Sequence, residues 1–106
     1  MKKVKILGRP WKVSVLEGDK FLRRFKEEAA GFTLPDSMEI VIHEDEFNLK
    51  TIRHELLHAY YDGLCVSSAD LTHHQIEEIF CELIAEHGES ILKQAKHLYK
   101  DLKDAA

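Results

Sequence analysis

One stretch of the 106-residue chain joins residue types that do chemistry at a spacing that lets them act together. It reads His54-Glu55-Leu56-Leu57-His58, an H-E-x-x-H pattern. On a helix, residues i and i+4 lie one above the other on one face. The two imidazoles can therefore each offer a nitrogen to one metal ion. Glu55 is rotated by about 100° from His54, which sets it beside the ion rather than in line as a third equal ligand. From there its carboxylate can take a proton from a water on the metal. Two ligands and a general base make hydrolytic zinc chemistry. Seven histidines in the chain raise the odds of an accidental match, so the surroundings of the motif decide its weight.

A catalytic zinc ion usually has three protein ligands and one open position. The continuation Ala59-Tyr60-Tyr61-Asp62-Gly63-Leu64 lacks the glycine and histidine of an HExxHxxGxxH site. The following segment offers Glu77, Glu78 and Glu82. Glu78 and Glu82 are four apart and share a helix face, so one can bind the metal while the other accepts a hydrogen bond from the far nitrogen of a ligand histidine. His73 and His74 stand as alternative ligands or as donors to a developing oxyanion, with Tyr60 and Tyr61. His43, Tyr61, His73 and His74 are the residues expected to line the site. His87 and His97 read as solvated.

Several elements must hold this constellation. Residues 2–7 and 11–16 alternate apolar and polar side chains around Gly8-Arg9-Pro10, which predicts a hairpin. Phe21, Leu22, Phe25 and Ala29 recur at helical spacing over 19–30, with Gly31 as the stop. Pro35-Asp36-Ser37 marks a turn. Met38, Ile40 and Ile42 alternate with Glu39, Val41 and His43, a strand over about 38–43. Asn48 is a suitable N-cap for a motif helix over about 49–62, and Gly63 a suitable end. Ile52, Leu56 and Ala59 give that helix one apolar stripe. Residues 64–71 read as a loop. Thr72 with Gln75 forms a capping-box pattern ahead of a glutamate-bearing helix over about 73–87. Gly88 is expected to end or kink it. Ile91, Leu92, Ala95, Leu98, Tyr99 and Leu102 predict a C-terminal helix, long enough to fold over the cleft. The fold class is α+β, one minimal domain over 1–106.

Composition narrows the functions. A formal charge of −4 disfavours a phosphate-tracking nucleic-acid binder. No apolar run has the length to span a bilayer, and the basic start lacks the apolar stretch of a signal peptide. Cys65 and Cys81 are too few and too far apart for a disulfide framework or a zinc knuckle. They fit two reduced, partly buried thiols in a cytoplasmic protein.

With these residues in place, HExxH on one helix and Glu78-Ile79-Phe80-Cys81-Glu82 on the next resemble the gluzincin, or thermolysin-type, zinc metallopeptidases. The resemblance covers about residues 38–90. It is nearest to minimal single-domain forms, including small phage and prophage-type zinc peptidases with a His-Glu-Leu-Leu-His-Ala core. Glu78 follows His58 by twenty residues, similar to the short interhelical spacing of that family. The resemblance implies Zn2+ held by His54, His58 and Glu78, with Glu55 as the base. It implies Glu82 as the residue orienting a ligand histidine, although the family has aspartate there; Glu82 is the alternative ligand. It also implies a peptide or protein substrate lying along an edge strand, here residues 38–43. The function implied is hydrolysis of peptide bonds by a zinc-activated water. A catalytically silent zinc-binding regulatory or interaction domain of the same fold is the alternative. A third reading, a structural protein with a chance motif, needs no zinc.

Overall fold

The computed structural model describes residues 1–64 and 70–105. The sheet begins with β1 (Lys2–Ile6) and β2 (Arg9–Leu16), and α1 (Gly18–Phe25) follows. Then come β3 (Gly31–Leu34) and β4 (Glu39–His43), a 3-10 turn at Glu44–Glu46, α2 (Leu49–Leu64) and α3 (His73–Asp104). The four strands lie in the order β1-β2-β4-β3, with β4 parallel to β2 and antiparallel to β3. The α+β class is as expected. Cys65 and most of the loop expected over 64–71 fall outside the described residues.

The hairpin turns on Leu7 and Gly8, both at positive φ (51° and 78°). A two-residue turn with this pair of angles matches the right-handed twist of the strands. Leu7 takes that conformation with its side chain over the end of α2. A Cβ at Gly63 would come within 2.7 Å of Leu7 Cδ1. Pro10 belongs to β2, opposite Lys5. β2 meets β4 only from Lys12 onward, so the missing N–H of Pro10 breaks no central ladder.

Both faces of the sheet are covered. Ile6, Trp11, Val13, Ile40 and Ile42 pack against Ile52, Leu56, Ala59 and Tyr60 of α2 and against Leu83, Ile91, Ala95, Leu98 and Leu102 of α3. On the other face Val41 is buried. Phe21 and Phe25 of α1 stack with Phe32 there, the ring centroids of Phe25 and Phe32 lying 4.5 Å apart. A bidentate Arg24–Glu39 pair, with N–O distances of 3.0 and 2.9 Å, ties α1 to β4. The Arg24 hydrogen bonds hold the Glu39 carboxyl below its ordinary pKa.

Five expectations are corrected. The strand at 38–43 is not an edge: β4 pairs on both sides, and the edges are β1 and β3. The helix expected over 19–30 ends at Phe25, where Lys26 enters the left-handed region and its N–H closes on Leu22 O. Gly31, read as a helix stop, opens a strand. Gly88 neither ends nor kinks a helix into two, because α3 runs unbroken for 32 residues. A mid-helix glycine costs about 1 kcal/mol relative to alanine. Leu83 on one side of Gly88 and Ile91, Ala95, Leu98 and Leu102 on the other are all buried, and each large apolar side chain contributes about 1.5–3 kcal/mol. The same burial places the C-terminal half of α3 in the core beside β1 and β2 rather than over the cleft.

Candidate functional site

α2 begins as its sequence dictates, with Asn48 Oδ1 accepting the Thr51 N–H at 2.9 Å. The helix turns Ile52, Leu56 and Ala59 into the core and leaves His54 and His58 exposed on the far side. Their Nε2 atoms converge to 3.1 Å, so one ring's N–H donates to the other nitrogen. The rings meet edge to face, with centroids 4.8 Å apart. Two nitrogens, each about 2.0–2.1 Å from a tetrahedral zinc ion, are separated by about 3.3 Å. The pair therefore fits the ligand separation that zinc requires.

Glu55 is 5% exposed, on the side of α2 that faces β3. Thr33 Oγ1 lies 2.8 Å from Glu55 Oε1 and 3.0 Å from the Glu55 carbonyl, and its one hydroxyl proton serves both acceptors. Gly31 and Thr33 pair with Ile42 and Ile40, so all four point toward α2. Gly31 has a steric reason to be glycine. A Cβ there would lie 2.9 Å from Val41 O and 3.3 Å from both Glu55 Cγ and Ile42 Cδ1.

His54 stands between two grooves. One, of about 530 Å³, has Glu55, Gly31, Asn48 and Lys50 in its walls. The other, of about 390 Å³, is mainly apolar and is formed by Leu57, His58, Tyr61 and Phe80 with His54. Tyr61 stands in the wall of this apolar groove, its ring centroid 5.8 Å from that of Phe80.

The remaining candidates are dispersed. Among the described residues no group of three His, Cys, Asp or Glu side chains is poised to hold a metal. Glu78 and Glu82 are exposed on α3. Glu78 is two residues from Phe80, about 200° around the helix. Phe80 rather than Glu78 is therefore the α3 residue presented to the histidine pair. Glu77, one turn before Phe80, lies nearer that side. His73 and His74 are exposed in the first turn of α3. His43 lies across the sheet from the pair, its ring 4.9 Å from Phe21 and its Nδ1 accepting the Asp45 N–H at 3.0 Å. Tyr60 is buried and donates to Gln94 Oε1 at 2.8 Å, while Gln94 Nε2 donates to Lys5 O. Burial raises the Tyr60 pKa, and the Gln94 bond partly opposes it. His87 is not fully solvated, since it packs 5.4 Å from the Tyr60 ring. Cys81 is exposed rather than partly buried.

Sequence reasoning missed Gly31 and Thr33. The available signal was the short run Gly31-Phe32-Thr33-Leu34, aromatic and β-branched, closed by Pro35. No helix among the described residues is long and apolar enough to cross a membrane. Compared with known proteins, the chain matches no family, no curated protein and no solved structure.

Proposed function

We propose that the chain is a minimal zinc-dependent peptidase of gluzincin type. The observation that carries this reading is the convergence of His54 and His58 Nε2 to a zinc-compatible 3.1 Å beside the Glu55 carboxylate. A zinc ion held by His54 and His58 supplies Lewis acidity and lowers the pKa of water. Glu78, the third ligand that the resemblance implies, has to be brought round α3 from its present side to join them.

The chain's own residues account for the rest. Glu55 takes the proton of the attacking water and returns it to the leaving amine. Thr33 holds the Glu55 carboxylate in place. β3 is the sheet edge next to Glu55, so its open side offers backbone groups to an extended peptide. The grooves on either side of His54 accept side chains of that peptide, the apolar one favouring an apolar residue.

The burial of Glu55 and its bond to Thr33 favour the second reading, a zinc-binding domain that does not cleave. One experiment separates the two. Zinc content is measured on protein purified without a metal-binding tag, and chelator-sensitive cleavage is measured with a peptide library, for the parent and Glu55→Gln. A peptidase retains zinc in the variant and loses about 10²–10⁴ in rate. Stoichiometric zinc with no cleavage by the parent supports the silent domain. Absence of zinc from both proteins overturns both readings.

A further inference from the structure

Lysines of β1 and β2 gather on one side of the sheet. Lys3 stands opposite Lys12, and Lys5 opposite Pro10. Side chains alternate along a strand, so Lys3, Lys5 and Lys12 point away from Val4, Trp11 and Val13, which pack into the core beneath α2 and α3. Theirs is the side that α1 covers over β3, yet all three lysines are exposed. Among the described residues none of the three forms an ion pair. Glu39, the acid beside Lys12 in register, is engaged by Arg24. The imbalance extends along the sequence: nine of the fifteen lysines and arginines lie in residues 1–26, with only two of the nineteen acids.

The backbone of β1 adds direction to this charge. The Lys12 N–H donates to Met38 O, on the β4 side, so Lys3 and Lys12 form a non-hydrogen-bonded pair. That pairing brings side chains closest, with Cα atoms about 4.5 Å apart, and like charges placed there oppose folding. It also turns the N–H and C=O of Lys3 to the open edge of the sheet. Pro10 has no N–H to give Lys5, whose N–H and C=O face outward as well. Gln94 Nε2 takes the Lys5 carbonyl at 2.8 Å. The Lys3 N–H, the Lys3 C=O and the Lys5 N–H are left facing outward, flanked by the lysine side chains.

We propose that this edge binds an extended acidic segment of another protein, which joins the sheet as a strand beside β1. Strand addition supplies backbone hydrogen bonds, and alternate side chains supply specificity. Side chains two residues apart on a strand are about 6.8 Å apart, which is the spacing of Lys3 and Lys5. Acids at alternate positions of the partner therefore meet both lysines, and Lys12 lies behind Lys3 on the same side. The residue between those acids falls on the side of half-buried Val4 and is apolar. Edge lysines repel β1 of a second copy, so charge selects a partner unlike this strand. A single-stranded nucleic acid needs rings on which its bases stack. Of the aromatic residues on the lysine side, Phe21 is buried and Phe25 and Phe32 are half-buried, stacked on one another.

Fluorescence anisotropy on the full chain, with a short labelled peptide alternating glutamate and valine, tests this without metal or cleavage. The outcome is therefore independent of the peptidase reading. Saturable binding is expected at low salt, with a Kd that rises on the order of tenfold as salt screens the opposed charges. Lys3→Glu and Lys12→Glu should each weaken binding about tenfold or more. Each also turns a repulsive cross-strand pair into an attractive one and should raise the Tm. A gain in stability with a loss of binding marks a surface kept for a partner. The same peptide N-methylated at its glutamates keeps its charge but lacks the N–H groups that pair with β1, and should bind at least about tenfold more weakly. The N-methylated peptide decides the matter if a variant fails to fold. Absence of binding at low salt overturns the proposal. So does binding that N-methylation or both substitutions leave unchanged, or tighter binding of an oligothymidylate of equal charge.

Discussion

Thr33→Val tests whether β3 holds Glu55 through a hydrogen bond or merely packs beside it. Valine keeps the volume and the β-branch and removes the hydroxyl that lies 2.8 Å from Glu55 Oε1. With Glu55 5% exposed, water replaces that donor poorly. A hydrogen bond to a charged group contributes about 1.5–3 kcal/mol, so the expected loss at pH 7 is about 2 kcal/mol. For a domain of this size that lowers the Tm by about 8 °C or more. The assay is urea unfolding followed by circular dichroism, for Thr33→Val alone and again in a Glu55→Met background. After the carboxylate has gone the hydroxyl still donates to the residue 55 backbone carbonyl, so removing it should cost about 0.5–1 kcal/mol, leaving a coupling energy of about 1 kcal/mol. Thr33→Ser keeps the hydroxyl and should recover most of the loss. Equal losses from Thr33→Val in both backgrounds would show that the bond contributes nothing to holding Glu55.

Three further outcomes are expected. Gly31→Ala should destabilise by about 1–3 kcal/mol, because the added Cβ lies 2.9 Å from the Val41 carbonyl; a gain in stability by the same unfolding assay refutes the close approach of β3. Arg24→Ala should cost about 0.5–1 kcal/mol at neutral pH, less at high salt, since the pair is partly exposed. The folded pKa of Glu39 is depressed, so its contribution is present above the unfolded carboxyl pKa and disappears as pH falls through the folded value. The unfolding midpoints of parent and Arg24→Ala should therefore converge in acid, and a gap that persists there counts against the ion pair. Tyr60→Phe leaves Gln94 Oε1 without its donor and should cost about 1–2 kcal/mol. Because the Tyr60 pKa is raised, the parent should lose stability as pH climbs above the unfolded tyrosine value, and the variant should lose less over that range in alkaline unfolding curves.

What the sequence determined by itself was local. Helical spacing placed His54 and His58 on one side of α2, and Asn48 and Thr72 marked the helix starts because a side-chain oxygen three residues ahead of an N–H is a short-range matter. Alternation assigned Ile40 and Ile42 to one face of β4 and Val41 and His43 to the other. Tertiary structure alone decided which strands became edges, since strand order depends on pairing between distant segments and leaves no local mark. It moved the open edge from residues 38–43 to the four residues of β3, too short for alternation to declare itself. In doing so it gave Glu55 its partner, Thr33, and gave Gly31 its reason to be glycine. It also carried α3 through Gly88, where core contacts on both sides outweigh the local cost. The rotation of α3 was likewise set by burial of Leu83, and that burial directs Phe80, rather than Glu78, toward the histidine pair.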